Sequence, residues 1–407
     1  MLARARALVQ PAGAGRRRAV LTSCGITHFL HDGFSDVIYL LLPVWQAELG
    51  LSLTQAGVLK SCYSGALASG QVPAGLLAER LGERGLLALG TLLTGLGFIA
   101  LGFAGGFTAL ALILVLAGAG SSTQHPLAAT IVAEAWPERG RRAALGVYNF
   151  TGDLGKVAVP LLAALVIAGA SWQAAVIGYG ALGIVGGVAV LALMQVLGVG
   201  GRRRAIGDAV PRLPSGDWGI RDARGFGALS AIAVIDGASR TAFLTLLPFL
   251  LTAKGADLPT IGVALGLTFA GGAAGKFLCG VLAERAGILR TVIVTELMTA
   301  AGVLLVLALP LGAALVFLPV VGVALNGTSS VLYATVAEFV AAERRARGFG
   351  LFYTVGIGAG ALAPFLFGFL GDLFGLDAAL VVLAAMICLT VPLCAWLRPA
   401  LVARPAD

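Results

Sequence analysis

The chain has 407 residues, of which 58% are hydrophobic and 12% are charged, and its mean hydropathy is +0.96. A soluble domain carries roughly 25% charged residues, so this composition excludes an ordinary soluble protein and favours one embedded in lipid. The net charge of +8 does not require nucleic acid as a partner, because arginines between the apolar segments account for it.

Long, continuous apolar runs predict twelve membrane-spanning helices, because a helix needs about 20 apolar residues to cross the hydrocarbon region. The runs do not alternate as the strands of a membrane barrel do. The predicted spans are 20–46, 54–78, 85–104, 107–134, 143–169, 172–198, 226–252, 259–284, 289–309, 312–338, 347–371 and 377–400. We expect an N-terminal six-helix bundle over 1–198, a cytosolic linker over 199–225 and a C-terminal six-helix bundle over 226–407.

The placement of Lys and Arg predicts the orientation, because cytoplasmic loops are enriched in both. With the N-terminus inside, the basic residues outside the spans fall in the termini, the even-numbered loops and the linker, apart from Lys254 in an outward loop. We therefore expect a multi-pass protein of the cell membrane, in a bacterial inner membrane, with both termini cytosolic.

The two groups of six spans are related by an internal repeat. The segment GLLAER at 75–80 recurs as GVLAER at 280–285, and Asp32 recurs as Asp236 at nearly the same offset. Duplicated halves place a substrate site at their interface near mid-membrane, and transport then proceeds by rocking of one half against the other.

The repeated segment itself is a motif at the connection between the second and third spans and again between the eighth and ninth. It resembles the G-x-x-x-[DE]-R-x-G signature of the major facilitator superfamily. The resemblance implies a twelve-helix fold in two pseudo-symmetric bundles, with this segment as a conformational latch at the cytosolic end. Simple positive-inside anchoring is the alternative reading. The latch residues are Gly75, Glu79, Arg80, Arg84, Gly280, Glu284 and Arg285.

The first span contains a cluster of ionisable side chains. His28, Asp32 and Asp36 are four residues apart and share one face of the helix. Two carboxylates one turn apart repel each other when both are ionised, and apolar surroundings also favour the protonated form. Histidine titrates near neutral pH. We expect Asp32 to carry the coupling proton, assisted by Asp36, His28 and His31; hydrogen bonding to neighbouring helices is the structural alternative.

The fourth span contains GAGSSTQHP at 118–126. Pro126 predicts a kink there, because proline cannot donate a backbone hydrogen bond. The carbonyl groups that lose their partners are tolerated in a membrane where they face a cavity. His125 lies at this predicted break. Together with the first span and the segment TGDLGKVAVP at 151–160, the pattern resembles the fosmidomycin-resistance branch of the facilitators. The resemblance implies efflux of small polar or anionic compounds, such as antimicrobials, in exchange for protons. Val159 departs from this pattern, because many antiporters have glycine there.

Charged side chains inside the spans mark the expected substrate path, since a charge at bilayer depth costs at least about 2.5–3.5 kcal/mol. The expected substrate-binding residues are His125, Asp153, Lys156, Asp236, Arg240 and Lys276. The spacing within the fifth and the seventh span also permits ion pairs that neutralise themselves. Lys276 has no such local partner and is the best candidate to bind an anion, whereas Lys60 is expected to snorkel at the outer end of its span.

The sequence favours a secondary transporter and not an enzyme. It contains no GxxxxGK[ST] loop, no metal-ligand spacing among its five cysteines and no extramembrane catalytic domain, so we expect neither cofactor nor metal. The expected partners are a small-molecule substrate, protons and the lipid bilayer, with the chain acting as a monomer. Proton-coupled uptake of an organic or inorganic anion by symport is the alternative to efflux.

Overall fold

The computed structural model describes residues 13–201, 218–341 and 345–402. Its helices, in chain order, are α1 (Ala14–Leu49), α2 (Leu53–Leu81), α3 (Glu83–Leu101), α4 (Phe107–Ser121), α5 (Gln124–Ala135), α6 (Glu138–Gly169), α7 (Trp172–Leu197), α8 (Ala223–Ala253), α9 (Leu258–Ala286), α10 (Ile288–Ala308), α11 (Leu311–Phe339), α12 (Arg345–Phe374), α13 (Leu376–Cys388) and α14 (Thr390–Val402). Residues 202–217 of the predicted linker lie outside the described residues.

These helices form the twelve predicted spans, because α4 with α5 makes the fourth and α13 with α14 makes the twelfth. Ten spans are long and apolar enough to cross a membrane. The other two, α1 and α2, have 36 and 29 residues and contain more polar side chains. Helices α1–α7 form the N-terminal half and α8–α14 the C-terminal half, so the prediction of an all-α membrane protein with two six-span bundles is confirmed.

The fourth span breaks where the sequence predicts a kink. Helix α4 ends at Ser121 and α5 begins at Gln124. Pro126 lies in the first turn of α5, where its missing N–H leaves no intrahelical bond unmade. The break positions His125 so that 41% of its side chain is exposed.

Glycines allow the helices of each half to pack backbone to backbone. A Cβ on Gly95 of α3 would lie 2.8 Å from the Gly180 carbonyl oxygen of α7, and one on Gly180 would lie 2.6 Å from the Gly95 oxygen. In the other half, a Cβ on Gly275 of α9 would lie 2.8 Å from the Val323 Cα of α11. Small residues permit this close approach between helices in a membrane. Close packing matters there because lipid provides no hydrophobic driving force for helix association.

The two halves contact each other mainly at the outer end, which we define by the connections at 50–52, 102–106, 170–171, 254–257, 309–310 and 375. Gly57 of α2 lies against the Pro364 carbonyl of α12. Nearby, the Asp372 carboxylate of α12 accepts hydrogen bonds from the Leu53 N–H at 2.9 Å, from the Thr54 N–H at 2.8 Å and from the Thr54 hydroxyl. These contacts hold α2 of one half to α12 of the other.

A second outer contact joins α6 to α9, where a Cβ on Gly262 would lie 2.7 Å from the Ala164 Cβ. At the opposite end, which carries the arginine-rich connections, the latch carboxylates Glu79 and Glu284 are exposed. The molecule is therefore closed at the outer end and open toward the arginine-rich end.

Candidate functional site

The centre of the site is Asp32, halfway along α1, with a side chain that is 8% exposed. Its Oδ1 lies 3.4 Å from His28 Nε2 and 3.8 Å from His125 Nε2, and its Oδ2 lies 3.3 Å from Lys156 Nζ. Three helices, α1, α5 and α6, thus place three other predicted site residues around the Asp32 carboxylate.

His28 is held so that its other nitrogen faces Asp32. Its Nδ1 lies 2.9 Å from the Tyr148 carbonyl oxygen, which can only accept, so Nδ1 carries a hydrogen. The Tyr148 ring stacks on the imidazole with ring centroids 4.2 Å apart. In neutral His28 the Nε2 is then an acceptor, and a favourable contact with Asp32 requires a proton on one of the two groups.

An alternating series of charges crosses from one half to the other. Lys156 Nζ lies 3.7 Å from Asp153 Oδ1 on the same helix. Lys276 of α9 donates to both oxygens of Asp153, at 2.6 and 2.8 Å. We call Asp32, Lys156, Asp153 and Lys276 the ion chain.

The ion chain adds to one expectation and corrects another. Lys276 has no partner on its own helix, as the sequence indicated, but it pairs with Asp153, which is 123 positions away in sequence and belongs to the other half. Lys156 is closer to Asp32 than to Asp153 on its own helix, so the reading of a self-neutralising pair within α6 is incomplete.

The C-terminal half has a separate charged cluster on α8. Arg240 Nη2 lies 3.9 Å from Asp236 Oδ2, and its Nη1 donates to Ser329 Oγ of α11 at 3.3 Å. Arg240 also lies within electrostatic range of Asp36 on α1. The in-helix pair predicted here is present, and it faces the N-terminal half.

His31 lies apart from the Asp32 cluster. Its Nε2 is 2.9 Å from Thr91 Oγ1 and its Nδ1 is 2.7 Å from Ser121 Oγ. The Thr91 hydroxyl donates to the Leu87 carbonyl, so it accepts from His31 Nε2–H. Tyr63 donates to Ser121, whose own hydroxyl then donates to Nδ1. Both ring nitrogens are satisfied with His31 neutral, which points to a structural contact between α1, α3 and α4.

Lys60 points into the bundle, so the expectation that it snorkels is wrong. It is 2% exposed, its Nζ donates to the Ser35 carbonyl oxygen at 2.7 Å, and it lies 4.0 Å from the centroid of the Tyr39 ring. Asp36, 8% exposed, lies within electrostatic range of Lys60 and Lys156. The Lys60 ammonium is thus compensated by the Asp36 carboxylate, the Ser35 carbonyl oxygen and the Tyr39 ring. The sequence alone did not predict that this side chain is buried.

Three side chains of the site have the chemistry of metal ligands. Ligand atoms of His28, Asp32 and His125 all lie within 4.8 Å of one another. The Lys156 ammonium lies 3.3 Å from the same Asp32 carboxylate and would repel a divalent cation placed between them. The absence of a metal stays a prediction from the sequence.

The latch residues lie at the open end. A Cβ on Gly75 or on Gly280 would meet nothing within 4 Å, so the close helix contact that these glycines permit is not made in this form. Arg80 and Arg285 are exposed, whereas the Arg84 backbone N–H donates to the Gly200 carbonyl at 2.7 Å. The latch assignment stays a prediction about the form in which this end is closed.

Two acidic residues to which the sequence assigned no role lie in informative positions in the structure. Asp372 joins the two halves at the outer end. In the sequence it is recognisable only as an acidic residue near the end of a span. Glu296 of α10 is 2% exposed and lies within electrostatic range of Asp236 and Arg240. No repeat or spacing pattern in the sequence connects Glu296 to α8.

Relatives of known name support the same class of protein. A probable sulfoacetate transporter of Cupriavidus necator is 26% identical over 60% of this chain and 59% of its own length. The fosmidomycin resistance protein of Escherichia coli is 29% identical over 37% of this chain and 36% of its own length. A probable L-galactonate transporter of Escherichia coli is 32% identical over 34% and 30%, respectively. The matches therefore span less than two thirds of each relative.

Solved structures share the fold over nearly the whole chain. A bacterial homologue of the human lysosomal transporter Spinster, in an inward-facing and occupied conformation, has a TM-score of 0.81 with 18% sequence identity and covers 97% of this chain and 100% of its own. The family model of the Major Facilitator Superfamily matches residues 24–220 and 229–406. Since that match includes both six-span halves, the chain belongs to the Major Facilitator Superfamily and is a membrane transporter rather than an enzyme.

Proposed function

We propose that the chain is a proton-coupled secondary transporter of a small organic anion. The observation that carries this proposal is the bond between Lys276 and Asp153, which joins the halves at 2.6 and 2.8 Å. The Asp153 carboxylate neutralises the Lys276 ammonium in the space between the halves. A transported carboxylate, sulfonate or phosphonate can replace Asp153 as the partner of Lys276. A buried cation needs such compensation.

The ion chain supplies a route for coupling. When Asp32 takes up a proton it no longer compensates Lys156, which can then turn fully to Asp153. Asp153 in turn needs Lys276 less, and Lys276 becomes available to an anion. Proton binding and anion binding therefore favour each other, and by linkage the effect is reciprocal. Mutual reinforcement of this kind supports symport.

The names of the relatives support an anionic substrate. Sulfoacetate carries a carboxylate and a sulfonate, galactonate carries a carboxylate, and fosmidomycin is a phosphonate. All three are small and acidic, as expected of ligands for Lys156, Arg240 and Lys276 on α6, α8 and α9.

Efflux by antiport is the second candidate, as the sequence pattern of the first half suggested. The match to the fosmidomycin resistance protein favours it, although that match covers only 37% of this chain. Antiport requires that proton and substrate binding oppose each other, which is the reverse of the linkage described above. The sign of the pH effect on binding therefore separates the two.

We also propose that the arginine-rich end faces the cytosol of a bacterial cell, because Lys and Arg accumulate on that side. The form described here is then open to the cytosol, with both termini inside and the polar linker connecting two bundles. A single chain contains both halves of the site, so a monomer suffices for transport.

The test uses purified full-length protein in liposomes with sulfoacetate, L-galactonate and fosmidomycin as probes. We expect at least one to bind more tightly as pH falls and to accumulate against its gradient when the side from which it enters is acidic. In Asp32→Asn, binding at high pH should match the wild type at low pH, and exchange should persist without pH-driven accumulation. Tighter binding at high pH would support antiport instead, and retained pH dependence in Asp32→Asn would refute the assignment of Asp32.

A further inference from the structure

Two tyrosines form a stacked pair that the proposed transport mechanism does not use. Tyr333 of α11 and Tyr353 of α12 lie with their ring centroids 4.3 Å apart and their ring planes 10° from parallel. The buried Phe352 contacts the Tyr333 ring edge-on at 5.7 Å, which fixes that ring in place. Tyr353 is 41% exposed, so a large part of the outer ring remains open to a ligand.

The backbone of α12 places Tyr353 on the side that faces the other half. Tyr353, Gly360 and Pro364 follow one another at spacings of seven and four residues, so they lie along one line of the helix. A Cβ on Gly360 would lie 3.2 Å from the Gly237 carbonyl oxygen of α8, and the Pro364 carbonyl lies against Gly57 of α2. This line therefore faces the boundary between α8 and α2, where the two halves meet. Toward the open end, it faces the space between them.

Helix α11 connects the tyrosine pair to the charged cluster of α8. Tyr333 and Ser329 are four residues apart on α11, so their side chains are neighbours on one face of the helix. Ser329 Oγ accepts from Arg240 Nη1 at 3.3 Å, and the Arg240 side chain is 25% exposed. Because α11 runs toward the arginine-rich end, the pair lies about 6 Å along the helix axis from the Arg240 contact, on the side of the opening.

We propose that Tyr333 and Tyr353 bind the aromatic ring of an organic acid whose anionic group is held by Arg240. This inference rests on the proposed function and narrows the substrate to acids that contain a planar ring. The ring packs on Tyr353 in an offset-stacked or edge-to-face arrangement, and the carboxylate, sulfonate or phosphonate reaches Arg240 one helical turn deeper. Ligand sites commonly combine aromatic side chains with a small number of polar groups in this way.

Tyrosines also accumulate where membrane proteins meet the lipid headgroups, but the position of this pair differs from that role. Tyr333 shares a face of α11 with Ser329, which contacts a charged side chain of α8 and so does not face lipid. A Cβ on Gly350, about one turn before Tyr353, would meet nothing within 4 Å. There is therefore free space beside the ring for a ligand.

The test is binding to purified full-length protein in lipid nanodiscs, measured by saturation-transfer NMR. Four probes separate the ring from the charge: benzoate, cyclohexanecarboxylate, benzamide and cyclohexanecarboxamide. In the wild type each aromatic probe should bind about 2–12-fold more tightly than its saturated counterpart, as expected for one aromatic contact. Tyr353→Ala should lose this ring preference in both pairs, whereas Tyr353→Phe should retain it.

Trp396→Ala is the matched control, because Trp396 is an exposed aromatic residue of α14 in the same half and is not part of the pair. Its ring preference should equal that of the wild type. The inference is overturned by a wild type without ring preference, by a preference that survives in Tyr353→Ala, or by an equal loss in Trp396→Ala. Tyr353→Leu decides the same point where the alanine variant does not fold, since leucine fills apolar volume without a ring.

The comparison of acids with amides tests the proposed function separately. An anion site requires that benzoate bind more tightly than benzamide and that Arg240→Gln abolish the difference. If the acids have no advantage, the anionic substrate is wrong while the ring preference still decides the role of the tyrosines. If the acids have the advantage and the aromatic probes have none, the tyrosine site is wrong and the anion site stands. If none of the four probes binds, both are overturned.

Discussion

Replacing Asp372 by alanine should shift the transporter toward the form that is open at the outer end. Asp372 of α12 accepts the Leu53 and Thr54 backbone N–H groups at the start of α2, together with the Thr54 hydroxyl. A carboxylate at a helix N-terminus also interacts favourably with the helix dipole. All of these contacts join the two halves and must break when the outer end opens.

The size of the effect follows from the capping geometry. Loss of an N-terminal cap costs about 0.5–2 kcal/mol, and Asp372 is exposed, which reduces the charge-assisted part of the contact. Helix α2 keeps its own cap, because Ser52 Oγ accepts from Gln55 N–H at 3.2 Å. The variant should therefore fold, and the closed outer end should lose about 1–2 kcal/mol, a change of about 5–30-fold in the ratio of the two forms.

Double electron–electron resonance between spin labels can measure this shift. Labels at Gly105→Cys and Gly312→Cys sit on opposite halves at the outer end, where a Cβ meets nothing within 4 Å. The five native cysteines are free and would be replaced by alanine. In Asp372→Ala the long-distance population should grow relative to the parent.

The matched control is Asp257→Ala at the start of α9, the helix that corresponds to α2 in the other half. Asp257 caps its own helix by accepting the Thr260 N–H at 2.9 Å. This variant loses a helix cap of the same kind but breaks no contact between the two halves. An unchanged distance distribution in Asp372→Ala, or an equal change in Asp257→Ala, would refute the role assigned to Asp372.

Three further outcomes are expected. Lys276→Gln should weaken binding of an anionic probe by at least about tenfold, or 1.4 kcal/mol, and leave a neutral analogue unaffected in a calorimetric titration; equal losses for both would make Lys276 structural. Asp153→Asn should free Lys276 and make anion affinity independent of pH, and a retained pH dependence would contradict the ion chain as the coupling route. Gly33→Ala should cost about 1–3 kcal/mol by overpacking, because its Cβ would lie 2.9 Å from Val159 Cβ; thermal unfolding should show a loss that Gly65→Ala, a helical site with open space around it, does not share.

The fold follows from local patterns, which is why it could be predicted from the sequence. The length of each apolar run and the proline after His125 each report on structure within one span, and the repeat of Asp32 as Asp236 reports on the relation between the two halves. Predicting the break between Ser121 and Gln124 and the division into two halves therefore required no information on contacts between residues distant in sequence.

The sequence predicted which residues form the site better than it predicted which of them contact each other. Helical spacing identified Lys156 and Asp153 as neighbours, but the shorter distance from Lys156 to Asp32 depends on how α6 packs against α1. The partner of Lys276 depends on how the halves meet. His31 shows the same limit, because the side chain of a residue three positions from His28 turns toward α3 and α4 instead.

The ion chain also has an electrical consequence. Its two carboxylates and two ammonium groups cancel, so the empty carrier can change conformation without moving net charge through the membrane field, where each uncompensated charge costs about 2.3 kcal/mol per 100 mV. A monovalent anion that enters with one proton leaves the sum at zero. The cycle would then be insensitive to membrane potential for such a substrate, whereas a divalent anion carried with one proton would make it voltage-dependent.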